Sequence, residues 1–324
     1  MLTEHGGKLM ETRVFAVRTK NREILPYSSS GGAFPALTEA AILDGDAVLC
    51  SYYNYESNRP EFHMVHSIEE RDMSRGSIYV QSITGDTWKE AGEWLRNNPD
   101  RQLLFFGTGC QCAGFMRYAE LENFRNRITV IDLICHGVPS PLIWKEYIEN
   151  VIGQRKMTHV NFRDKRTGWD HSVGIATIDG EDVSIRKYRR IYSDRYTLRP
   201  SCTHCPYTKV DRDTDITIGD FWHMNKSMPD FYDPMGTSLL IIHTMRGMKL
   251  FESISDSIEY RESCVQDCLQ HNLVMPTEHA RNRDKFWKEY HEKGIEYVMD
   301  KYGTLSLFER GKRKIIKLVR KNKF

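Results

Sequence analysis

The most regular stretch of the chain lies in its middle. Gln102–Phe106 is a short apolar run that predicts a strand, and Gln111–Glu122 predicts a helix. Ile128–Ile134 predicts a second strand, near-continuously apolar except for Asp132. A strand of that kind is covered on both faces, as in a parallel sheet. Pro139 and Pro141 then open a helix through Val151, because the first helical turn does not need the N–H that proline lacks. Upstream, Ala33 to Leu43 reads as a helix rich in Ala and Leu, followed by strands at Ala47–Tyr53 and Phe62–His66. Trp88, Ala91 and Trp94 recur at helical spacing and mark an amphipathic helix over Thr87–Arg96.

Beyond Met157 the pattern changes to alternation. Val160–Phe162 and Val173–Ile178 predict antiparallel strands, and Asp215–Gly219 and Ser238–Thr244 predict further buried ones. From Cys264 onward the chain reads as mostly helical. The expected fold is mixed α/β (α+β): a two-lobed core with a partly parallel sheet, antiparallel strands in the second half, and a helical C-terminal segment. No internal repeat or low-complexity tract is visible.

Composition narrows the function classes. The 324 residues are 40% hydrophobic and 28% charged, as in ordinary soluble globular proteins. No apolar run approaches the ~20 residues needed to cross a bilayer, and the N-terminus lacks the apolar stretch of a signal peptide. A cytoplasmic location is therefore expected. In that reducing setting the eight cysteines point to metal ligation, thiol chemistry or core packing rather than disulfides. The net charge of +2 says little, but the segment Glu309–Phe324 concentrates eight Lys or Arg around Ile315, Ile316, Leu318 and Val319. It reads either as a basic helix making peripheral contact with a membrane or an acidic partner, or as a solvated terminus. No interleaved aromatic platform accompanies it, so nucleic-acid binding is not expected.

The cysteines carry the candidate chemistry. Cys110 lies just past one predicted parallel strand and Cys135 directly after the next, so both thiols would project from the C-terminal ends of strands, where open α/β sheets build their sites. Cys202 and Cys205 form a C-x-x-C pair, and Pro206 follows as in ferredoxin loops. Together the four could complete one tetrahedral set for an iron–sulfur cluster or for zinc, which takes the same ligands. Thiol–disulfide chemistry at Cys202 and Cys205 is a third reading. Cys50, Cys264 and Cys268 read as core residues.

Several motifs resemble the beta-subunit family of coenzyme F420 hydrogenases and dehydrogenases, which also includes a chlorophyll-cycle reductase. They are Ser29-Ser30-Gly31-Gly32, Gly76-Ser77-Ile78-Tyr79, Gly107-Thr108-Gly109-Cys110-Gln111 and Cys135-His136-Gly137-Val138-Pro139-Ser140. Phe162-Arg163-Asp164-Lys165, the C-x-x-C and Asp215-Ile216-Thr217-Ile218-Gly219-Asp220-Phe221-Trp222 follow in order. The resemblance implies FAD beside a 4Fe–4S cluster ligated by Cys110, Cys135, Cys202 and Cys205, with hydride exchange at the flavin. It implies an N-terminal lobe over residues 1–100 on the flavin-phosphate side, a cysteine-site lobe over 101–260 and a helical extension over 261–324. Many members begin with a ferredoxin-like module. Nothing similar precedes residue 28, so electrons are expected from ferredoxin or a separate subunit. Gly109 stands where the family has proline, and Ile78 where it has lysine.

Roles for the remaining motif residues follow, each beside a structural alternative. Ser29, Ser30, Gly31 and Gly32 precede a helix and suit a pyrophosphate cradle or an ordinary N-cap and turn. Ser77 and Tyr79 belong to the flavin side. Thr108 and Gln111 flank Cys110 and would contact the cofactors or cap the next helix. His136 would donate to cluster or flavin, or rest on neighbouring backbone. Asp220 would hold a ribose hydroxyl or orient a loop. Arg163 and Lys165 would pair with flavin phosphates or form surface salt bridges. The expected activity is an FAD and iron–sulfur oxidoreductase acting on a small organic substrate, with a link to polysaccharide biosynthesis implied by the resemblance. A zinc-stabilised binding or scaffold protein of the same fold is the alternative.

Overall fold

The computed structural model describes residues 9–304; the basic segment at Glu309–Phe324 lies outside them. Among the described residues eleven strands form two sheets. The large sheet contains β1 (Leu9–Thr19), β2 (Ala47–Asn54), β3 (Arg59–Val65), β4 (Leu103–Thr108) and β5 (Ile128–Leu133). The small sheet is β6 (Met157–Asp164), β7 (Val173–Ile178) and β8 (Glu181–Ser184), and the large one is completed by β9 (Ile216–Asp220), β10 (Ser238–Thr244) and β11 (Ile258–Ser263). The order in the large sheet is β11-β1-β10-β9-β5-β4-β2-β3. Its centre, β2, β4, β5 and β9, is parallel. Antiparallel strands close both sides, and the fold is the expected mixed α/β one.

Alternation explains the layering. Phe15, Val17, Val48, Leu104, Ile131, Ile218 and Leu240 face one side of the large sheet, under the helices Ala33–Leu43 and Met245–Ser253. On the opposite side Leu49, Phe105 and Val130 meet Phe115 and Leu95 from the helices Gly109–Leu121 and Thr87–Asn97. Further along that side Val14, Leu239 and Ile241 pack with Phe221 and Leu273. Both faces of the centre are thus covered, as the buried, mostly apolar run of β5 requires. Around the small sheet the helices Pro141–Ile152, Arg186–Ser193 and Arg283–Tyr302 enclose a separate core built on Trp144, Phe162 and Tyr188.

β1 escaped the sequence reading although it is paired on both sides, with β10 and with β11. Its signal was the short run Val14-Phe15-Ala16-Val17 between charged residues. β8, β11 and the helices Arg186–Ser193 and Met245–Ser253 were missed as well, being short or strongly polar in pattern. Among the described residues no helix is long and apolar enough to cross a membrane.

Candidate functional site

Strand register sets the first two thiols level with each other. Thr108 on β4 stands opposite Leu133 on β5, and Cys110 and Cys135 each follow two residues later. Thr108 caps the helix Gly109–Leu121: its N–H donates to Gln111 Oε1 at 2.9 Å and its hydroxyl at 3.0 Å. The same hydroxyl lies 3.3 Å from Cys110 Sγ. At Cys135 the N–H of Gly137 donates to Sγ at 3.3 Å.

The C-x-x-C loop is brought in by a short backbone ladder. Ser140 N–H donates to Thr197 O at 2.8 Å, and Arg199 N–H to Val138 O at 2.9 Å. Gly137 has φ of +111°, and a Cβ there would stand 3.2 Å from Leu198 and 3.3 Å from Cys202. A side chain at this position would be both strained and crowded. On the far side Tyr207 packs over Gly109, tying the Cys205 end of the loop to the start of the Cys110 helix. The result is one cavity lined by Cys110, Cys135, Cys202 and Cys205, together with His136, Tyr207, Arg212, Asn272 and Thr277.

The thiols sense one another. Burial pushes Cys135 up to about 12, and the other three thiols add to the rise against the Gly137 N–H. Cys202 is raised by burial, with Cys110 and Cys205 contributing. A reactive thiolate needs the opposite shift, so thiol–disulfide chemistry at Cys202 gains no support. A cationic centre reverses this balance, because coordination deprotonates the thiols. The donor set therefore fits an iron–sulfur cluster. Zinc draws its sulfurs to ~2.3 Å from one point, whereas among the described residues no group of three or more His, Cys, Asp or Glu is set to hold a metal ion. Zinc gains no support from the structure.

Beside the thiols opens a cleft of about 360 Å³, a size that takes a ring-shaped ligand. Ile83, Trp88 and Pro141 give it apolar walls, while Gln81, Ser82, Thr84 and Gln111 give polar edges. Cys110 lines both this cleft and the thiol cavity. Trp88 Nε1 is buried without a hydrogen-bond partner.

Comparison with known proteins now bears on this geometry. Residues 100–266 match the family model for the C terminus of the coenzyme F420 hydrogenase/dehydrogenase beta subunit. The chain belongs to this family. The matched stretch contains all four thiols of the cavity. Among solved structures, a chain of the F420-reducing [NiFe] hydrogenase complex from Methanosarcina barkeri shares the fold, with a TM-score of 0.52 at 17% identity. The overlap covers 93% of this chain and 92% of that one. No curated protein matches.

The beta-subunit motifs outside the thiol cavity are drawn into internal networks. Ser30 donates its hydroxyl to Thr237 O at 2.8 Å, and Gly31 lies in a turn where a Cβ would stand 2.4 Å from Val17 O. Gly32 has φ of +85° and caps the following helix without a side-chain bond. Ser29 accepts from Ser77 at 2.8 Å. Lys165 is buried rather than on the surface; its ammonium donates to Leu25 O, Ser30 O and Met235 O at 2.6–2.9 Å. Arg163 is buried too, donating to Asp220 Oδ2 at 2.6 Å, while Trp169 Nε1 donates to Asp220 Oδ1 at 3.1 Å. His136 lies in the thiol cavity with its Nδ1 3.4 Å from Thr277 Oγ1, and burial lowers its pKa.

Three neighbours went unnoticed in the sequence. Tyr79 stacks on Tyr192, with ring centroids 4.8 Å apart, and the Tyr192 hydroxyl donates to Gly137 O at 3.2 Å. The Arg189 guanidinium lies 5.9 Å from the Tyr79 ring, and its Nε is buried without a partner. Burial lowers the Arg189 pKa and the Arg163 charge lowers it further, so these two cations share a region. Arg212 completes the set. No motif pointed to these residues, since Tyr192 and Arg189 lie on a helix whose polar pattern hid it. Of the cysteines outside the site, Cys50, Cys112 and Cys268 are buried, but Cys264 is exposed, which corrects its assignment to the core. It sits at the cap of the short helix Val265–Cys268 and only Cys268 turns inward.

Proposed function

We propose that the chain is an oxidoreductase passing electrons between FAD and a 4Fe–4S cluster held by Cys110, Cys135, Cys202 and Cys205, to reduce or oxidise a small organic substrate. The observation that carries this reading is the convergence of four thiols, from three distant segments, on one cavity that shares Cys110 with a ring-sized cleft. When bound, the cluster supplies one-electron transfer and the flavin supplies hydride exchange.

The chain's own residues have definite tasks in this scheme. The Gly137 N–H lies against Cys135 and stabilises sulfur charge there, while the Thr108 hydroxyl gives its hydrogen to Gln111 Oε1 and fixes the start of the Cys110 helix. Trp88, Ile83 and Pro141 exclude water from the cleft, while Gln81, Ser82 and Gln111 present polar groups to the edge of a heteroaromatic ring. Arg189, with its unpartnered Nε, and Arg163 suit the phosphates of FAD, and Ser77, Ser29 and Tyr79 are assigned to the same flavin side. Lys165 fixes the Ser29–Gly32 turn from behind through the Ser30 carbonyl.

Electrons would arrive from ferredoxin or a separate electron-transfer subunit, entering near the exposed Cys110. A substrate linked to polysaccharide biosynthesis rests on the family resemblance alone. The test is quantification of iron, acid-labile sulfide and flavin in anaerobically purified protein. Equal amounts of iron and sulfide together with flavin are expected; colourless protein carrying one zinc per chain would overturn the reading.

A further inference from the structure

We infer that Arg212, paired with Asp132, is a positioning residue that locks the four-thiol site together and sets the electron affinity of the cluster bound there, an inference that rests on the cluster reading above. Asp132 is the single charged residue in the mostly apolar β5, and it is fully buried; Arg212 is 7% exposed. Arg212 Nη1 donates to Asp132 Oδ2 at 2.5 Å. Removing two charges from water costs several kcal/mol per ion, and apolar residues would fill the space as well. Such a pair therefore needs a reason to exist at this place.

One reason is mechanical. The same guanidinium donates to Leu133 O at 3.4 Å, to Lys209 O at 2.9 Å and to Asn272 O at 3.5 Å. Leu133 leads into Cys135, and Lys209 follows Cys205. Asn272 reaches Thr277, which borders His136. One side chain thus ties three segments that line the cavity. Asp132 is itself held by Thr217 at 2.6 Å and Thr214 at 3.1 Å, so the anchor is rigid.

The second reason is electrostatic. Arg212 lines the thiol cavity and Asp132 does not, so the charge that faces the cavity is positive. In a dry site a fixed cation at short range favours the more negative, reduced form of a redox centre. Arg199 also acts on Cys202, but it is exposed and therefore screened by solvent and salt.

The experiment is an EPR-monitored redox titration of anaerobically prepared full-length protein, with iron and sulfide counted in each sample. Arg212→Gln and Asp132→Asn keep shape while removing one charge each. The midpoint is expected to move negative in Arg212→Gln and positive in Asp132→Asn, while Arg212→Lys, which keeps the charge but not the three-way tie, moves it less than Arg212→Gln. A purely structural pair would move both midpoints in one direction or neither, and either result overturns the inference. Wild-type protein without iron and sulfide sinks the cluster reading itself. Loaded wild type with unmoved variants sinks only the role of Arg212.

Discussion

The side chain of Tyr207 lies against Gly109 so closely that a Cβ on that glycine would stand 2.7 Å from the Cβ of Tyr207. This contact explains why glycine replaces the family's proline in the Cys110 loop. Gly109 opens a helix behind Thr108, a position whose backbone accepts proline readily. The obstacle is the Tyr207 side chain, its Cβ first and the ring carbon attached to it next. Gly109→Pro should cost about 1–3 kcal/mol by overpacking and lower iron content. In a Tyr207→Gly background, which also removes the Tyr207 Cβ, most of that cost should vanish. Urea unfolding of the two single variants and the double variant measures the coupling; equal costs in both backgrounds would refute the account.

Cys110 and Cys112 differ by two residues, yet the helix turns them to opposite fates. Cys110 is exposed at the cavity, while Cys112 is fully buried with Sγ donating toward Gly107 O and Ile131 O. Cys110→Ser should abolish the cluster absorption with little effect on the unfolding of the protein prepared without metal. Cys112→Ala should retain iron and instead cost about 1 kcal/mol of stability through the cavity it leaves. Iron retained in Cys110→Ser, or lost in Cys112→Ala, would contradict the geometry.

The contrast shows what the sequence could carry. Strands β4 and β5 were legible because buried parallel strands need unbroken apolar runs, and once they were placed, Cys110 and Cys135 followed. The contacts that complete the site were not legible. Tyr207 on Gly109, and Arg212 bonded to Leu133, Lys209 and Asn272, depend on loops whose paths no periodicity encodes. Arg163 and Lys165 were located by motif, but their burial against Asp220 and three carbonyls reflects packing between β6 and distant loops. Asp132 was noticed only as an interruption; its meaning needed the lateral neighbours Thr217 and His243.

Arg189 supplies a test of the flavin side. Its buried Nε lacks a partner, and its charge sits near that of Arg163, an arrangement that an anionic ligand would relieve. Arg189→Met should weaken FAD binding about 10-fold or more, with the loss shrinking as salt rises because screening already weakens the wild type. Fluorescence titration of flavin-free protein measures it. Unchanged affinity would remove Arg189 from the site. Thermal unfolding of the same protein checks that Met preserves the packing of the aliphatic stem against Gly174.

The stripe beneath the thiol site also predicts a pH response. The Thr217 hydroxyl has one hydrogen and donates it to Asp132 Oδ1, so it accepts from His243 Nε2 at 2.8 Å. That fixes the neutral tautomer with the proton on Nε2 and leaves Nδ1 buried without a partner. A second proton would be stranded away from water, and the Arg212 charge opposes it further; together they lower the His243 pKa to about 4. The unfolded value is ~6.5. As pH falls through that interval the unfolded chain takes up a proton and the folded chain does not, so stability falls with slope up to ~1.4 kcal/mol per pH unit. Above the upper limit this contribution is fully present, and below the lower one no further loss occurs. His243→Gln keeps a donor for Thr217 and removes the titration. Its urea-unfolding stability should decline by ~2–3 kcal/mol less than wild type between pH ~6.5 and pH ~4. Burial also lowers His63 to about 4, so a shallower slope survives in the variant. Parallel acid limbs for the two proteins would show that His243 is not the group responsible.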